Sequence, residues 1–206
     1  MPKAFTEQER ARIRARLVAA GKKALNRGSM RHLVIDEIAR EAGISKGSFY
    51  SFFPSREDFI LTIFEAWESE YRSSLLAEVS GGSGSPRERL ERFVLGVFEI
   101  FEREPGMALI NPAEIERIIE ALPAERVAGH MAADKLAMSE AIGGWAASGI
   151  VHPDDIGALQ GLLQALFAMA LFKESFPLGS FAPTAKLLAE AIAMRLCREP
   201  EGGAHD

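Results

Sequence analysis

Five polar or small residues lie close together in the N-terminal quarter of the chain: Lys46, Gly47, Ser48, Tyr50 and Ser51. Lys46 and Tyr50 are four residues apart, so in a helix they share one row, and Gly47 and Ser51 share the next row. Lysine and serine side chains can donate hydrogen bonds to base edges, and a tyrosine hydroxyl suits a phosphate. A glycine lets two backbones approach closely. These residue types at this spacing predict a surface that reads double-stranded DNA.

The elements that position these residues are two short helices joined by a tight turn. The spacing predicts one helix over Asp36–Ala42 and a second over Ser45–Phe53, which a proline then stops. Gly43 can adopt the left-handed conformation that ends the first helix, and the Ser45 hydroxyl can cap the second. Ala39 is small where the two helices must cross closely. This is the helix-turn-helix pattern, whose second helix fits the major groove of DNA.

The same stretch carries a longer signature. It runs Ile38-Ala39-x-x-Ala42-Gly43-Ile44-Ser45-x-Gly47-x-x-Tyr50-x-x-Phe53, followed by Arg56-Glu57. Over about residues 10–60 the chain resembles the N-terminal domain of tetracycline-repressor (TetR/AcrR) family regulators. The resemblance implies a three-helix DNA-binding domain, followed by a variable helical domain for ligand binding and dimerisation. It implies DNA contacts from Lys46, Gly47, Ser48, Tyr50, Ser51 and Arg56.

Three positions depart from what the resemblance implies. Ile35 stands where the family often places a threonine on a phosphate, and it cannot donate a hydrogen bond. Asp36 would repel a phosphate, and Phe52 is apolar at a position that is often polar. We therefore leave these three out and expect Arg31 and His32 to supply the missing phosphate contacts.

The charge is divided unevenly along the chain. Residues 1–56 hold 12 Lys/Arg and 5 Asp/Glu, a net charge of +7, whereas residues 57–206 hold 12 and 24, a net charge of −12. Such asymmetry favours a basic segment for a polyanion and an acidic body with another task. The alternative is chance clustering of charges on solvated helix faces.

Helical periodicity continues through the whole chain, and no alternating strand pattern interrupts it. An all-α fold of about nine helices is predicted, over Thr6–Asn26, Asp36–Ala42, Ser45–Phe53, Arg56–Val79, Arg87–Arg103, Ala113–Leu122, Pro123–Ala147, Asp154–Phe176 and Thr184–Arg198. The basic face of the first helix carries Arg10, Arg12, Arg14, Arg16, Lys22 and Lys23. We expect a DNA-binding domain at 1–54, a ligand-binding and dimerisation domain at 55–198, and a disordered tail at 199–206.

The last two long helices combine small residues with leucines, a pattern that permits close helix packing. The resemblance implies that they form a four-helix bundle with a second copy. The expected interface residues are Ala158, Gly161, Leu162, Ala165, Leu166, Leu188 and Ile192. The alternative is that both helices line the core of the monomer.

Aromatic and methionine residues are frequent in the middle of the chain. They could line a pocket for a small, largely apolar ligand with one polar end. The candidates are Trp67, Phe93, Val97, Phe101, Asn111, His130, Met138, Trp145 and Phe167. Such stripes at helical spacing also occur as plain core packing.

Several function classes are disfavoured. The single cysteine and four scattered histidines predict no disulfide framework and no metal site. We find no Gly-rich phosphate loop and no catalytic signature, so we predict neither an enzyme nor a cofactor. The absence of a long apolar segment or an apolar leader favours a cytoplasmic protein.

The sequence as a whole predicts a dimeric repressor on a palindromic operator, released by a small effector. The fourth helix, Arg56–Val79, would link the effector pocket to the recognition helix. The alternative is an architectural or nucleoid-associated DNA binder of the same fold that has no effector.

Overall fold

The computed structural model describes residues 5–28, 30–109 and 112–197. Within these ranges ten α-helices follow one another: α1 Glu7–Leu25, α2 Ile35–Glu41, α3 Lys46–Phe49, α4 Arg56–Gly81, α5 Pro86–Arg103, α6 Pro105–Ala108, α7 Pro112–Ala121, α8 Ala124–Ala147, α9 Ile156–Leu171 and α10 Phe181–Leu196. These residues contain no strand, and the all-α prediction is confirmed. Among the described helices, none combines the length and the apolar character that a membrane span needs.

One helix more than the predicted nine is present because α6 forms where a loop was expected. Pro105 occupies its first turn, where a missing N–H costs no hydrogen bond. The predicted disordered tail, 199–206, lies outside the described residues.

The chain divides into two compact units. The first comprises Met1–Glu70 and Glu104–Ala128, and the second comprises Tyr71–Arg103 and Gly129–Asp206. Packing therefore groups α6, α7 and the first part of α4 with the N-terminal helices. The functional boundary predicted after residue 54 stays a prediction.

In the first unit, α1 begins at the predicted capping box. The Glu9 N–H donates to Thr6 Oγ1 at 3.2 Å, and the Thr6 N–H donates to Glu9 Oε2 at 2.8 Å. The Thr6 hydroxyl also donates to Glu9 Oε2, at 2.9 Å, and the two hydrogen bonds from the Thr6 N–H and hydroxyl lower the pKa of the Glu9 carboxyl group. The predicted apolar face is buried and consists of Ile13, Leu17, Ala20 and Ala24.

The turn between α2 and α3 has the predicted geometry. Gly43 adopts a φ of +77°, in the left-handed region that favours glycine. The Ile44 N–H donates to Ala39 O at 2.9 Å and closes the turn. Ser45 caps α3, since its Oγ accepts from the Ser48 N–H at 3.1 Å.

Helix α3 is shorter than the predicted Ser45–Phe53. Beyond Phe49 two backbone bonds go to the third residue back, from the Ser51 N–H to Ser48 O at 3.0 Å and from the Phe52 N–H to Phe49 O at 2.9 Å, before the Phe53 N–H returns to Phe49 O at 3.1 Å. The Ser51 hydroxyl also donates to Ser48 O at 2.7 Å. It occupies the carbonyl that an α-helical bond from Phe52 would use, so the helix tightens into turns.

The next two helices follow the predicted pattern with small shifts of their ends. Ser55 caps α4, its Oγ accepting from the Asp58 N–H at 3.0 Å. The helix continues to Gly81, two residues past the predicted end at Val79, and α5 begins at Pro86, one residue early.

The predicted helix over 154–176 is divided in the structure. A 3-10 turn at Pro153–Asp155 precedes α9, which ends at Leu171, and a second turn follows at Lys173–Ser175. Helix α10 begins at Phe181 rather than at the predicted cap Thr184. Pro183 is tolerated in its first turn because the Thr184 N–H makes the first helical bond, to Ser180 O at 3.1 Å.

The second unit is organised around α5, which packs against α9 and α10. Aromatic rings form much of its interior, with centroid separations of 4.9 Å for Phe93–Trp145, 5.3 Å for Phe101–Phe167 and 5.5 Å for Phe98–Phe181. Such edge-to-face and tilted pairs are favourable ring geometries.

Gly21 lies where α1 packs against α4, and a side chain there has no room. A Cβ would lie 2.4 Å from Ile63 Cδ1 and 2.8 Å from Phe59 Cζ, and both side chains are buried. We expect Gly21→Ala to lower the free energy of unfolding by about 1–2 kcal/mol, because overpacking outweighs the gain in helix propensity. Urea and thermal unfolding measure this change.

Gly129→Ala is the matched control, since a Cβ at this exposed position of α8 meets nothing within 4 Å. It should raise the free energy of unfolding by about 0.5–1 kcal/mol. Changes of the same sign in both variants would contradict the close approach at Gly21.

Candidate nucleic-acid interface

The recognition segment, Lys46–Phe53, presents its polar residues to solvent. Lys46, Gly47 and Ser51 are exposed, and Tyr50 is 47% exposed. Ser48 is half-buried, its Oγ 2.9 Å from that of the capping serine. The structure thus brings the five predicted recognition residues together on one turn of helix and the bend that follows it.

The inner side of the recognition segment is held by aromatic packing. Phe49 and Phe53 are completely buried, and both contact Phe59 of α4, with ring centroids 5.1 and 4.8 Å away. The Phe49 and Phe53 rings are 5.4 Å apart. The buried rings fix which side of the short helix faces outward.

Two arginines of α1 hold the C-terminal end of this segment. Arg10 Nη2 donates to Ser51 O at 2.8 Å, and its guanidinium lies 4.6 Å above the Phe52 ring. Arg14 Nη1 donates to Phe52 O at 3.1 Å, and its guanidinium lies 4.4 Å above the Phe53 ring. Sequence analysis missed this role, because the only local signal is the i,i+4 spacing of two arginines on a basic helix face.

Other basic residues of α1 are also engaged within the first unit. Lys22 Nζ lies 2.7 Å from Glu70 Oε2, and Lys23 Nζ lies 2.8 Å from Glu41 Oε1. The Lys23 ammonium lowers the pKa of the Glu41 carboxyl group. Much of the N-terminal positive charge therefore holds the protein together, while the Arg12 and Arg16 side chains remain exposed.

The predicted phosphate-contacting residues occupy the start of α4 and the turn before α2. Arg56 is half-buried, and its Nη2 donates to Met30 O at 3.2 Å. This bond links α4 to the 3-10 turn Met30–His32, on which Arg31 and His32 are exposed. His32 also borders a cleft of about 240 Å³ that α1 and α2 line, and no residue of α3 contributes to it.

Comparison with known proteins identifies this arrangement. Residues 17–63 match the sequence profile of a family described as bacterial regulatory proteins, tetR family. Over this segment the chain is similar to the tetR family. The matched segment runs from the middle of α1 into α4 and includes the turn, the recognition segment and Arg56.

Two curated relatives match part of the length of this chain. The transcriptional regulator AcuR of Cereibacter sphaeroides is 34% identical over 77 residues, which is 37% of this chain and 35% of that protein. The HTH-type transcriptional regulator EthR of Mycolicibacterium smegmatis is 26% identical over 94 residues, 46% of this chain and 43% of that protein. The matches therefore span less than half of either relative.

A solved structure matches over nearly the whole chain. A TetR-family transcriptional regulator from Pectobacterium atrosepticum has 18% sequence identity and a TM-score of 0.70, and the match covers 96% of this chain and 100% of that one. At this identity the likeness establishes the fold alone.

The predicted ligand-site residues are spread over both compact units. Trp67 is buried in the first unit, with its ring 5.8 Å from that of Phe64. Phe93, Val97, Phe101, Trp145 and Phe167 belong to the second unit, where Phe93 packs on Trp145 and Phe101 on Phe167. His130 and Met138 are half-buried on α8, and Asn111 lies outside the described residues. A pocket lined by these residues stays a prediction.

The predicted dimer residues fall on different sides of α9 and α10. Ala158, Gly161 and Ala165 are exposed, and Leu162 and Leu188 are half-buried. Leu166 and Ile192 are buried within the chain itself, and the interface that includes them stays a prediction. The side of α10 away from Ile192 faces outward, where Leu187 is 66% and Met194 60% exposed.

Ser45→Ala tests the cap of the recognition helix. It removes the oxygen that accepts from the Ser48 N–H, and we expect the free energy of unfolding to fall by about 1 kcal/mol. Thermal unfolding and amide exchange at Ser48 measure the effect. Ser69→Ala, at an exposed position inside α4, is the control and should leave stability equal or slightly higher. Equal melting temperatures for Ser45→Ala and the parent would argue against the cap.

Proposed function

We propose that this chain is a sequence-specific DNA-binding transcriptional regulator of the TetR family that acts as a repressor. The observation that carries the proposal is the outward presentation of Lys46, Gly47 and Tyr50 on a helix whose opposite side is buried. The fit of residues 17–63 to the family profile supports it. The names of the two curated relatives, both transcriptional regulators, support the same role here. The role is one of binding rather than catalysis, and it requires access to DNA in the cytoplasm.

Base edges and phosphates are read by different residues in this proposal. Lys46 and Ser48 lie in the first turn of α3, the part of a recognition helix that faces base edges in the major groove. Gly47 lets the backbone approach, and Ser51 lies one turn further along. Tyr50 and Arg56 contact phosphates, as do Arg31 and His32 on the neighbouring turn.

The regulator acts as a homodimer on a palindromic operator. Small exposed residues on α9, among them Ala158, Gly161 and Ala165, permit close helix approach. The exposed apolar side chains of Leu187 and Met194 on α10 supply area that a second copy would bury. A two-fold dimer of recognition helices reads half-sites separated by about 10 base pairs or a multiple of this.

A small, largely apolar effector lowers operator affinity in this scheme. The aromatic interior of the second unit offers the apolar surroundings that such a ligand prefers. An effector shifts the protein away from the operator-binding state only if it binds the other state more tightly. Phe93 packs on Trp145 and Phe101 packs on Phe167, so these rings occupy space that an effector would need. This close packing favours a second candidate, an architectural DNA binder of the same fold without an effector.

Selection of DNA fragments from a random pool by the purified full chain tests the proposal. We expect the retained sequences to share one palindrome with half-sites about 10 base pairs apart or a multiple of this. A single unpaired half-site would contradict the dimer. Retention of many unrelated sequences would favour the architectural role, and retention of none would overturn DNA binding.

Two substitutions separate base reading from phosphate binding. Lys46→Ala should change the preference among operator variants, costing about 1–3 kcal/mol on the preferred base. Arg56→Ala should weaken binding to all sequences alike and reduce the slope of log K against log salt by about 1. Fluorescence anisotropy at several salt concentrations measures both. Uniform weakening by both variants would mean that the division of roles is wrong.

A further inference from the structure

A polar cluster connects three helices within the first unit, and we name it the Thr62 cluster. Its members are Arg14 of α1, Asp58, Thr62 and Glu65 of α4, and Arg126 of α8. Asp58, Thr62 and Glu65 are spaced four and three residues apart, so they lie on one side of α4. Arg126 lies outside the segment that matches the family profile.

Arg126 is bound to both carboxylates of the cluster. Its Nε donates to Asp58 Oδ1 at 2.8 Å, and its Nη1 and Nη2 donate to the two oxygens of Glu65 at 2.6 and 2.7 Å. The second pair is the bidentate geometry in which an arginine binds a carboxylate most strongly. Hydrogen bonding to Glu65 and Asp58 raises the pKa of the Arg126 guanidinium. The start of α8 is thereby fixed to the first turns of α4.

The Thr62 hydroxyl lies between the two arginines. Its oxygen is 3.5 Å from Arg126 Nη2 and 3.4 Å from Arg14 Nη2, and the hydroxyl donates to Asp58 O at 2.9 Å. Thr62 is buried, and these contacts use the one donor and two acceptor positions of a hydroxyl. The named members of the cluster include two positive and two negative side chains.

Arg14 extends from this cluster to the recognition segment. The same guanidinium that contacts Thr62 donates to Phe52 O and covers the Phe53 ring. Without Arg126, the carboxylates of Asp58 and Glu65 would lose a bound cation, and the surroundings of Arg14 would become more negative by one charge. Arg14 is the other cation of the cluster, so the carboxylates would attract it away from Phe52 O.

We infer that Arg126 is a positioning residue for DNA recognition. By binding Asp58 and Glu65 it leaves Arg14 on the Phe52 carbonyl, which holds the C-terminal end of the recognition segment in place. A side chain at the start of α8, which touches no DNA in the proposed function, thus sets the geometry of DNA reading. The inference deepens the proposed function. The expected effect on DNA affinity rests on that function, whereas the expected effect on the recognition segment does not.

Amide exchange of the DNA-free full chain tests the effect on the segment. In Arg126→Gln we expect the Phe52 and Phe53 amides to exchange about tenfold faster, as for loss of a charge-assisted hydrogen bond. Arg126→Lys, which keeps the positive charge, should remain close to the parent. The matched control is Arg117→Gln, which removes a surface pair with Glu114 on α7 and should change neither amide.

Neutralising the carboxylates distinguishes charge competition from simple anchoring of α8. The triple variant Arg126→Gln, Asp58→Asn, Glu65→Gln lacks the charges that attract Arg14, so we expect parental exchange at Phe52 and Phe53. Fast exchange in the triple variant would overturn the inference, and so would parental exchange in Arg126→Gln.

Operator affinity gives the second readout, on a fragment that the parent chain selects. At a temperature where both proteins are folded, Arg126→Gln should bind about tenfold more weakly, and the triple variant should recover parental affinity. If the parent chain retains no DNA, the proposed function fails, and amide exchange still decides the inference. Weak DNA binding by the triple variant, measured where that variant is folded, would count against the inference.

Discussion

The burial of Phe49 and Phe53 against Phe59 is the interaction on which the recognition segment depends. A helix of four residues, such as α3, makes too few internal hydrogen bonds to be stable alone. Packing of the two rings supplies what the short helix lacks, and it determines which residues face outward. The Ser45 cap and the left-handed Gly43 bring the chain to this packed position in the required direction. Because the buried rings hold the segment in place, its outward positions can be polar.

Positive charge in the N-terminal region has two uses. Lys46 and, on α1, Arg12 and Arg16 remain exposed to a polyanion, as the net charge of the region suggests. Arg10 and Arg14 instead bind backbone carbonyls at the end of the recognition segment and cover aromatic rings. Guanidinium groups suit this work because they combine several fixed donors with a flat surface that packs on a ring. A count of basic residues alone overstates the charge that is free to meet DNA.

The second unit is built on different principles. Its interior consists of ring pairs around α5, and Asp155 beside α9 accepts from Arg195 of α10 at 3.1 and 3.2 Å. Its outer surface keeps small residues on α9 and the apolar side chains of Leu187 and Met194 on α10. These exposed side chains are the surface that the proposed homodimer would bury.

Local patterns in the sequence determined most of the helices, the caps at Thr6, Ser45 and Ser55, the turn at Gly43 and the outward recognition residues. These features arise from hydrogen bonds and side-chain spacings within a few residues, which a sequence displays directly. The length of α3, the burial of Leu166 and Ile192, and the contacts of Arg14 and Arg126 were decided by tertiary structure. Arg126 meets Glu65 across 61 positions of the chain, and no local spacing predicts such a pairing. Periodicity shows that a helix has an apolar side, but only the packed fold decides which apolar residues face its own core and which face a partner.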